Sequence, residues 1–176
     1  MADIKAYRPE THSLSSGQVL SRGYGYEEGR VIVREMAEEL ALRMFSQGLY
    51  TGSITLYLGY AYSDSRRPAR GSLSTGAPTC SVRTLADCTQ TLYERVMGRD
   101  DQIRRVSLSF NDLTADAGGQ YDLFSQPEQQ ERELRLQRAM LGIKSKYGKN
   151  GIVKAMDLLE GATMMDRNRQ IGGHRA

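Results

Sequence analysis

The feature that most constrains the fold of this 176-residue chain is a single apolar stripe between residues 26 and 47. Its main members recur at every fourth position, which puts them on one side of an α-helix. They are Ile32, Met36, Leu40 and Met44, with Val33, Ala37 and Phe45 beside them. Glutamates occupy the other side, so the stripe predicts an amphipathic helix that packs against another apolar surface.

Two stretches of the sequence, 52–62 and 102–111, alternate between apolar and polar residues. A period of two is typical of a strand that buries one face. The apolar members are Ile54, Leu56, Leu58 and Tyr60 in the first stretch and Val106, Leu108 and Phe110 in the second. Segments 13–22 and 72–83 predict two less regular strands, and residues 84–97 predict a short helix.

The predicted order of elements is β-α-β-β-α-β. This order indicates an α+β fold, with a four-stranded, mainly antiparallel sheet and two helices on one face. Residues 127–147 and 150–160 have helical patterns, whereas 161–176 lacks clear periodicity and is expected to be mobile. The sequence thus divides into a polar tether (1–12), a folded domain (13–113), a linker (114–126) and a helical and flexible tail (127–176).

Composition narrows the classes of function. The formal net charge is +3 and the pI is about 8.9, which is too mild to identify nucleic-acid binding by itself. Two cysteines, Cys80 and Cys88, and two histidines do not form the ligand pattern of a zinc site. Few cysteines and no signal peptide indicate the cytoplasm. No apolar run has the length of a membrane span.

The sequence carries no recognisable catalytic motif. It lacks a G-x-G-x-x-G helix start and a GK[ST] phosphate loop. The acidic pairs Glu27-Glu28 and Asp100-Asp101 lie at a predicted helix start and in a predicted loop, which does not suit a two-metal site. We therefore expect no catalytic residue, metal site or cofactor site in this chain.

Three features together resemble a known family. They are the segment AYRPETHSLSSGQVLSRGYGYEE (6–28), the order of elements, and the segment KYGKNGIVKAMDLLEGATMMDRNRQIGGHRA (146–176). The chain resembles the C-terminal little finger domain and tail of Y-family translesion DNA polymerases of the UmuC/DinB type, notably UV-damage-repair polymerases of Gram-positive bacteria. The resemblance implies a domain that grips primer–template DNA within an error-prone polymerase of DNA damage repair. It also implies that the catalytic palm and its Mg²⁺ belong to the parent polymerase.

A short motif lies just after the predicted domain. Gln120-Tyr121-Asp122-Leu123-Phe124 resembles the bacterial sliding-clamp peptide Gln-Leu-(Ser/Asp)-Leu-Phe, with Tyr121 in place of the usual leucine. The resemblance implies that Gln120 forms a hydrogen bond at a pocket rim, while Leu123 and Phe124 fill apolar pockets of the clamp. The alternative is that Leu123 and Phe124 pack back on the domain or begin the next helix.

The resemblance also implies a way of holding DNA. The family contacts mainly phosphates, which positions a duplex without reading its sequence. Short polar side chains let strand N–H groups approach phosphates, and arginines supply positive charge. The residues expected to contact DNA are Ser15, Ser16, Gln18, Arg22, Arg66, Arg67, Arg70, Ser72, Ser74, Arg105, Ser107 and Ser109. Tyr57 is expected either to stack on a base or sugar or to pack across strands.

Other interpretations of the same residues remain open at this point. Each expected DNA contact can equally be a solvated surface position. The main rival function is a protein-interaction module whose polar sheet face never meets DNA, and a second is a small enzyme with an unrecognised site. Met164 and Met165 are expected to be exposed and available to a partner. A monomer is favoured, and the sequence does not specify which DNA lesions are bypassed.

Overall fold

The computed structural model describes residues 13–60, 66–115, 127–171 and 174–175. The domain comprises β1 (Ser13–Tyr24), α1 (Tyr26–Ser46), β2 (Thr51–Tyr60), β3 (Ala69–Thr79), α2 (Val82–Val96) and β4 (Ile103–Asn111). It is followed by α3 (Pro127–Tyr147), a 3-10 helix (Ala155–Leu158), α4 (Met164–Asn168) and the paired strands β5 (Gln170–Ile171) and β6 (His174–Arg175). The predicted β-α-β-β-α-β order and the α+β class are confirmed. No helix among these residues has the length and hydropathy needed to cross a membrane.

The four long strands form one antiparallel sheet in the order β1-β4-β2-β3. Strand β4 is last in the sequence of the four but lies between β1 and β2. In its register with β2, Leu108 pairs with Leu56 and Phe110 pairs with Ile54. Because paired residues project to the same side of a sheet, the apolar residues of the two strands meet on one face.

Helices α1 and α2 cover this apolar face and complete the core. Ile32 and Met36 of the α1 stripe are fully buried, as is Tyr93 of α2. Burial of an apolar side chain of this size stabilises the fold by about 1.5–3 kcal/mol. The Tyr93 hydroxyl donates a hydrogen bond to the carbonyl oxygen of Tyr26 at 2.7 Å, so a buried polar group is satisfied where the two helices meet.

Helix α2 begins at Val82, two residues before the position expected from the sequence. Ser81 is its N-cap, and the Ser81 Oγ accepts a hydrogen bond from the Thr84 N–H at 3.0 Å. The same hydroxyl donates to the Glu133 carboxylate of α3 at 2.7 Å, and that carboxylate also accepts from the Arg83 N–H at 3.1 Å. A distant helix therefore stabilises the start of α2, which local sequence could not indicate.

The C-terminal segment folds back on α1. The Thr163 N–H donates to the Glu35 carboxylate at 3.0 Å, and the Lys154 ammonium lies 2.7 Å from the Glu38 carboxylate. Met164 is buried, so the expectation that it is exposed is wrong. A single 3-10 turn replaces the helix predicted over 150–160, because the segment follows the surface of α1 instead of forming an independent helix.

Candidate nucleic-acid interface

The sheet has a second face, opposite α1 and α2, which the described elements leave uncovered. Its side chains come from alternate positions of all four strands, and none of them is acidic. We call this surface the open face. Its members are Ser15, Gly17 and Val19 on β1, Arg105, Ser107 and Ser109 on β4, Thr55, Tyr57 and Gly59 on β2, and Arg70, Ser72 and Ser74 on β3.

A row of hydroxyl groups crosses the open face from one edge strand to the other. Ser15 pairs with Ser109, Ser109 with Thr55, and Thr55 with Ser72. The Thr55 and Ser72 hydroxyls share a hydrogen bond of 2.9 Å, and the Asn111 amide donates to the Thr55 hydroxyl at 3.1 Å. This row presents small donors and acceptors along a line perpendicular to the strands.

The next two rows form a shallow depression of about 590 Å³. Gly17 lies at one side of it, and Gly59 lies opposite Arg105 on the neighbouring strand. A Cβ atom at Gly59 would come within 3.1 Å of the Arg105 Cβ, so the missing side chain allows Arg105 to lie over β2. Tyr57 and Val19 provide the apolar part of the floor, and Val19 is 58% exposed.

Two arginines give the depression its charge. Arg70 pairs with Tyr57 across β2 and β3, and Arg105 pairs with Val19 across β1 and β4. Both guanidinium groups line the depression, and neither forms an ion pair with the part of the chain that the structure describes. A depression lined by two such cations and several hydroxyls, with no carboxylate among its described lining residues, is suited to binding an anion.

Two of the β1 residues expected to contact DNA lie on the covered face of the sheet. Ser16 pairs with the buried Leu108, and Gln18 pairs with the buried Val106, so both side chains lie on the helix-covered face. The Gln18 side-chain oxygen accepts hydrogen bonds from the Thr163 hydroxyl at 3.3 Å and from Arg167 at 3.0 Å. The expectation that Ser15, Ser16 and Gln18 share one face is wrong, because consecutive strand residues point to opposite sides.

Arg22 also lies away from the open face. Its guanidinium forms an ion pair with Glu28 at the start of α1 and stacks over the Tyr24 ring, 4.2 Å from the centroid. The hydrogen bond from Arg22 lowers the pKa of the Glu28 carboxyl, and the same hydrogen bond raises the pKa of Arg22. The expected DNA contact of Arg22 did not take Glu28 into account, which lies six residues further along the chain.

The arginine-rich segment 63–71, which joins β2 to β3, is described only from residue 66 onward. The Arg66 guanidinium donates to the Asp101 carboxylate at 2.7 Å and stacks 4.2 Å from the centroid of the Tyr60 ring. It is therefore held at the end of the sheet, between β2 and the α2–β4 loop. Arg67 is exposed beside it. The structure brings Arg70 into the depression but does not place Arg66 there.

Two other expectations concern the sliding clamp and metal ions. The predicted clamp motif, Gln120 to Phe124, lies outside them, so the motif stays a prediction. Among the described residues, no group of three or more histidine, cysteine, aspartate and glutamate side chains is arranged to hold a metal ion.

Sequence reasoning left four residues of the open face, Gly17, Val19, Thr55 and Gly59, out of the expected set. Gly17, Val19 and Thr55 line the depression together with the expected Arg70 and Arg105. The signal that would have found Gly17 and Val19 is strict alternation from Ser15. Thr55 is a polar member of the alternating stretch 52–62 and therefore lies opposite its apolar face. Its position beside Ser109 and Ser72 depends on strand order.

Comparison with known proteins links this geometry to a family. Residues 11–123 match the model of the impB/mucB/samB family C-terminal domain. UvrX of Bacillus subtilis (strain 168), named for UV-damage repair, is 27% identical over 165 residues, which are 93% of this chain and 39% of that protein. A protein named DNA polymerase IV 2 from the same organism is 23% identical over 164 residues, again 39% of its length. The chain thus spans about two-fifths of these relatives.

One solved structure also resembles the chain. It is described as a complex of the beta-clamp processivity factor and the little finger domain of PolIV. The match has a TM-score of 0.45 at 15% sequence identity, and it covers 65% of this chain and 100% of the other.

Proposed function

Because the chain belongs to the impB/mucB/samB family through its C-terminal domain, we propose that its open face grips the sugar-phosphate backbone of primer–template DNA. The observation that supports this most is the depression between Arg70 and Arg105, whose two guanidinium groups have no ion-pair partner among the described residues and whose described lining contains no carboxylate. The proposed role is that of the little finger of a translesion DNA polymerase acting in the cytoplasm during DNA damage repair.

The chemistry of the open face favours phosphate contacts over base reading. Serine and threonine hydroxyls donate to phosphate oxygens, and Gly17 and Gly59 allow a phosphate to approach the strand backbone closely. Among the described side chains of this face, the groups of the type that reads base edges are the guanidinium groups of Arg70 and Arg105 and the Asn111 amide, which already donates to Thr55. Contacts of this kind hold damaged and undamaged duplexes alike, which suits a polymerase that accepts lesions.

Salt-dependent titration tests the proposed grip. Fluorescein-labelled primer–template DNA is titrated with the 176-residue chain, and fluorescence anisotropy is measured between about 50 mM and about 200 mM salt. We expect affinity to fall steeply with salt and to be independent of base sequence, because each phosphate contact releases counterions. No binding at the lowest salt would favour the rival function, a protein-interaction module without DNA contact.

The double variant Arg70→Ala/Arg105→Ala locates the grip. We expect it to weaken binding at least about tenfold at low salt and to reduce the salt slope by about two. Arg83→Ala/Arg135→Ala is the matched control, because these side chains are 84% and 69% exposed on α2 and α3 and their removal changes net charge equally without touching the open face. Equal losses in both variants would show general charge attraction instead of a site.

We further propose that residues 120–124 dock the protein on a bacterial sliding clamp. The motif offers a polar anchor, Gln120, and two adjacent apolar side chains, Leu123 and Phe124, of the kind that dominate small interfaces. Leu123→Ala/Phe124→Ala is expected to weaken clamp binding more than about tenfold in surface plasmon resonance. Leu158→Ala/Leu159→Ala is the control, since these adjacent leucines are 66% and 55% exposed. Unchanged binding in the first variant would exclude the motif.

In this proposal the chain positions DNA and does not itself transfer nucleotides. Its relatives include DNA polymerase IV 2, of which it spans 39%. The Mg²⁺-dependent chemistry would belong to the catalytic part of the parent polymerase. Primer extension by the purified chain with Mg²⁺ and deoxynucleotides is expected to give no product, and extension would contradict this division of roles.

A further inference from the structure

Helix α3 contacts the domain along one side only. Leu134 packs against the core, and the Gln137 amide donates to the Cys80 carbonyl oxygen at 2.9 Å. Glu133 accepts the hydrogen bonds that stabilise the start of α2. These contacts fix the orientation of α3, and the side of the helix opposite Leu134 carries the exposed Leu136 and the half-buried Met140 and Ile143.

A second apolar stripe runs along a different side of α3. Leu136, Met140, Ile143 and Tyr147 are separated by four, three and four residues. At about 100° per residue, this spacing places them in one narrow sector of the helix, well away from the sector of Leu134. Leu136 is 58% exposed and Tyr147 is 65% exposed. We call these four residues the outer stripe.

The spacing of the outer stripe is that of a helix that pairs with another helix. Apolar residues at intervals of three and four form a continuous seam, and amphipathic peptides use the same anchors to dock on such seams. A solvated helix needs no second stripe after its first side has packed on the domain. The outer stripe therefore indicates a partner helix.

The charges beside the outer stripe specify the partner. Arg132 and Lys146 lie within about a quarter-turn of the stripe on one flank, together with Glu128, so cations outnumber carboxylates there. On the other flank, the Lys144 ammonium already donates to the Lys149 carbonyl oxygen at 2.7 Å. Glu133 lies on the same flank, but its carboxylate is already bound to Ser81 and the Arg83 N–H. Pairing with a second copy of this chain would bring two basic flanks together, whereas an acidic helix would neutralise them.

We propose that the outer stripe of α3 docks an acidic amphipathic helix of a partner protein. Leucine or similar side chains of the partner would cover Leu136 and Tyr147, and its flanking carboxylates would pair with Arg132 and Lys146. This surface shares no residue with the open face or with the segment 120–124, so we propose it as a third contact in addition to those with DNA and the clamp.

The test uses a synthetic probe and the whole chain. The probe is a labelled helical peptide with leucines at heptad seam positions and glutamates beside them, and the control peptide has lysines in place of the glutamates. We expect the acidic peptide alone to bind in anisotropy titrations, and Leu136→Asp/Tyr147→Asp to weaken its binding at least about tenfold. Circular dichroism melting checks that the variant stays folded.

Two control variants and one measurement make the outcome decisive. Arg138→Asp adds the same kind of charge on the opposite side of α3, and Arg70→Ala/Arg105→Ala removes the cations of the open face; both should bind the peptide as wild type does. The proposal is overturned if the lysine peptide binds equally well, or if binding survives the Leu136→Asp/Tyr147→Asp change. It is also overturned if sedimentation equilibrium shows a dimer that Leu136→Asp abolishes, because the occupant is then a second copy.

Discussion

The Glu35 carboxyl group lies beneath the C-terminal segment and is fully buried. One of its oxygens accepts hydrogen bonds from the N–H and hydroxyl of Thr163, and the other has no partner among the described residues. Burial is the main cause that raises the pKa of Glu35; the nearby Asp157 carboxyl raises it further, while Arg167 lowers it. Burial also raises the pKa of Asp157.

This raised pKa predicts that stability falls as pH increases. Between the ordinary value of 4.5 and the raised pKa, the folded chain binds more protons at Glu35 than the unfolded chain does. The free energy of unfolding therefore decreases as pH rises through that window. Glu35→Gln keeps an acceptor for Thr163 but cannot ionise, so we expect urea unfolding of this variant to depend less on pH than that of wild type.

The control for this prediction is Glu131→Gln. The Glu131 side chain is 71% exposed on α3, so its loss should leave the pH dependence of unfolding unchanged. Superimposable pH profiles for wild type and Glu35→Gln would contradict the assignment. Asp157 remains in each of these proteins and contributes a dependence of the same sign.

At the scale of elements, β3 and α2 are packed without space for an added methyl group. Gly71 faces the helix, between Arg70 and Ser72, which point to the open face. A Cβ atom at Gly71 would lie 2.7 Å from a Val96 methyl carbon and 2.8 Å from a Leu92 methyl carbon. The absence of a side chain thus lets the strand that carries Arg70 lie against its covering helix.

Two glycine-to-alanine variants are therefore expected to have opposite effects. Gly71→Ala should lower the free energy of unfolding by about 1–3 kcal/mol, because the added methyl group overpacks the β3–α2 contact. Gly142→Ala should raise it by about 0.5–1 kcal/mol, because Gly142 lies within α3 and has nothing within 4 Å of the added Cβ position.

Guanidinium denaturation monitored by circular dichroism measures both changes. Equal effects of the two substitutions would mean that the lost backbone freedom of glycine alone, and not the close β3–α2 contact, controls the response. A stabilising Gly71→Ala would show that Leu92 and Val96 move aside at little cost.

At the scale of the whole molecule, the two faces of the sheet have separate roles. The C-terminal segment contacts α1 and the covered side of β1, where Arg167 binds both Gln18 and Glu39. The proposed DNA grip lies on the opposite side of the same strands. We therefore expect changes in the C-terminal segment to alter stability and changes in the open face to alter DNA affinity.

Removal of residues 149–176 tests this separation. We expect the shortened chain to melt at a lower temperature, because Glu35 and the site of Met164 become exposed, yet to keep wild-type DNA affinity at temperatures where it is folded. Thermal melts and anisotropy titrations on the same samples measure both properties. Arg167→Ala removes only the contacts of this side chain with Gln18 and Glu39, so it should lower the melting temperature by less than the deletion does. Weaker DNA binding by a folded shortened chain would show that the segment acts on the open face.

How much of this protein is predictable from its sequence depends on the range of the interactions involved. Helix α1 and strands β2 and β4 follow from the spacing of Ile32 and Met36 and from the alternation around Leu56 and Leu108, because periodicity is a local property. The resemblance of residues 6–28 and 146–176 indicated the family, which the match over residues 11–123 shows.

Strand order, and the meeting of polar residues from different strands, depend on the tertiary structure. Pairing of β4 with both β1 and β2 brings Ser15, Ser109 and Thr55 into one row, although they are distant in sequence. Contacts with Thr163 and Arg167 keep Gln18 on the covered face, and Glu28 binds Arg22. Alternation within each strand is a local property of the sequence. Long-range pairing fixes which alternating residues lie opposite each other, because spacing along the chain does not encode strand order or register.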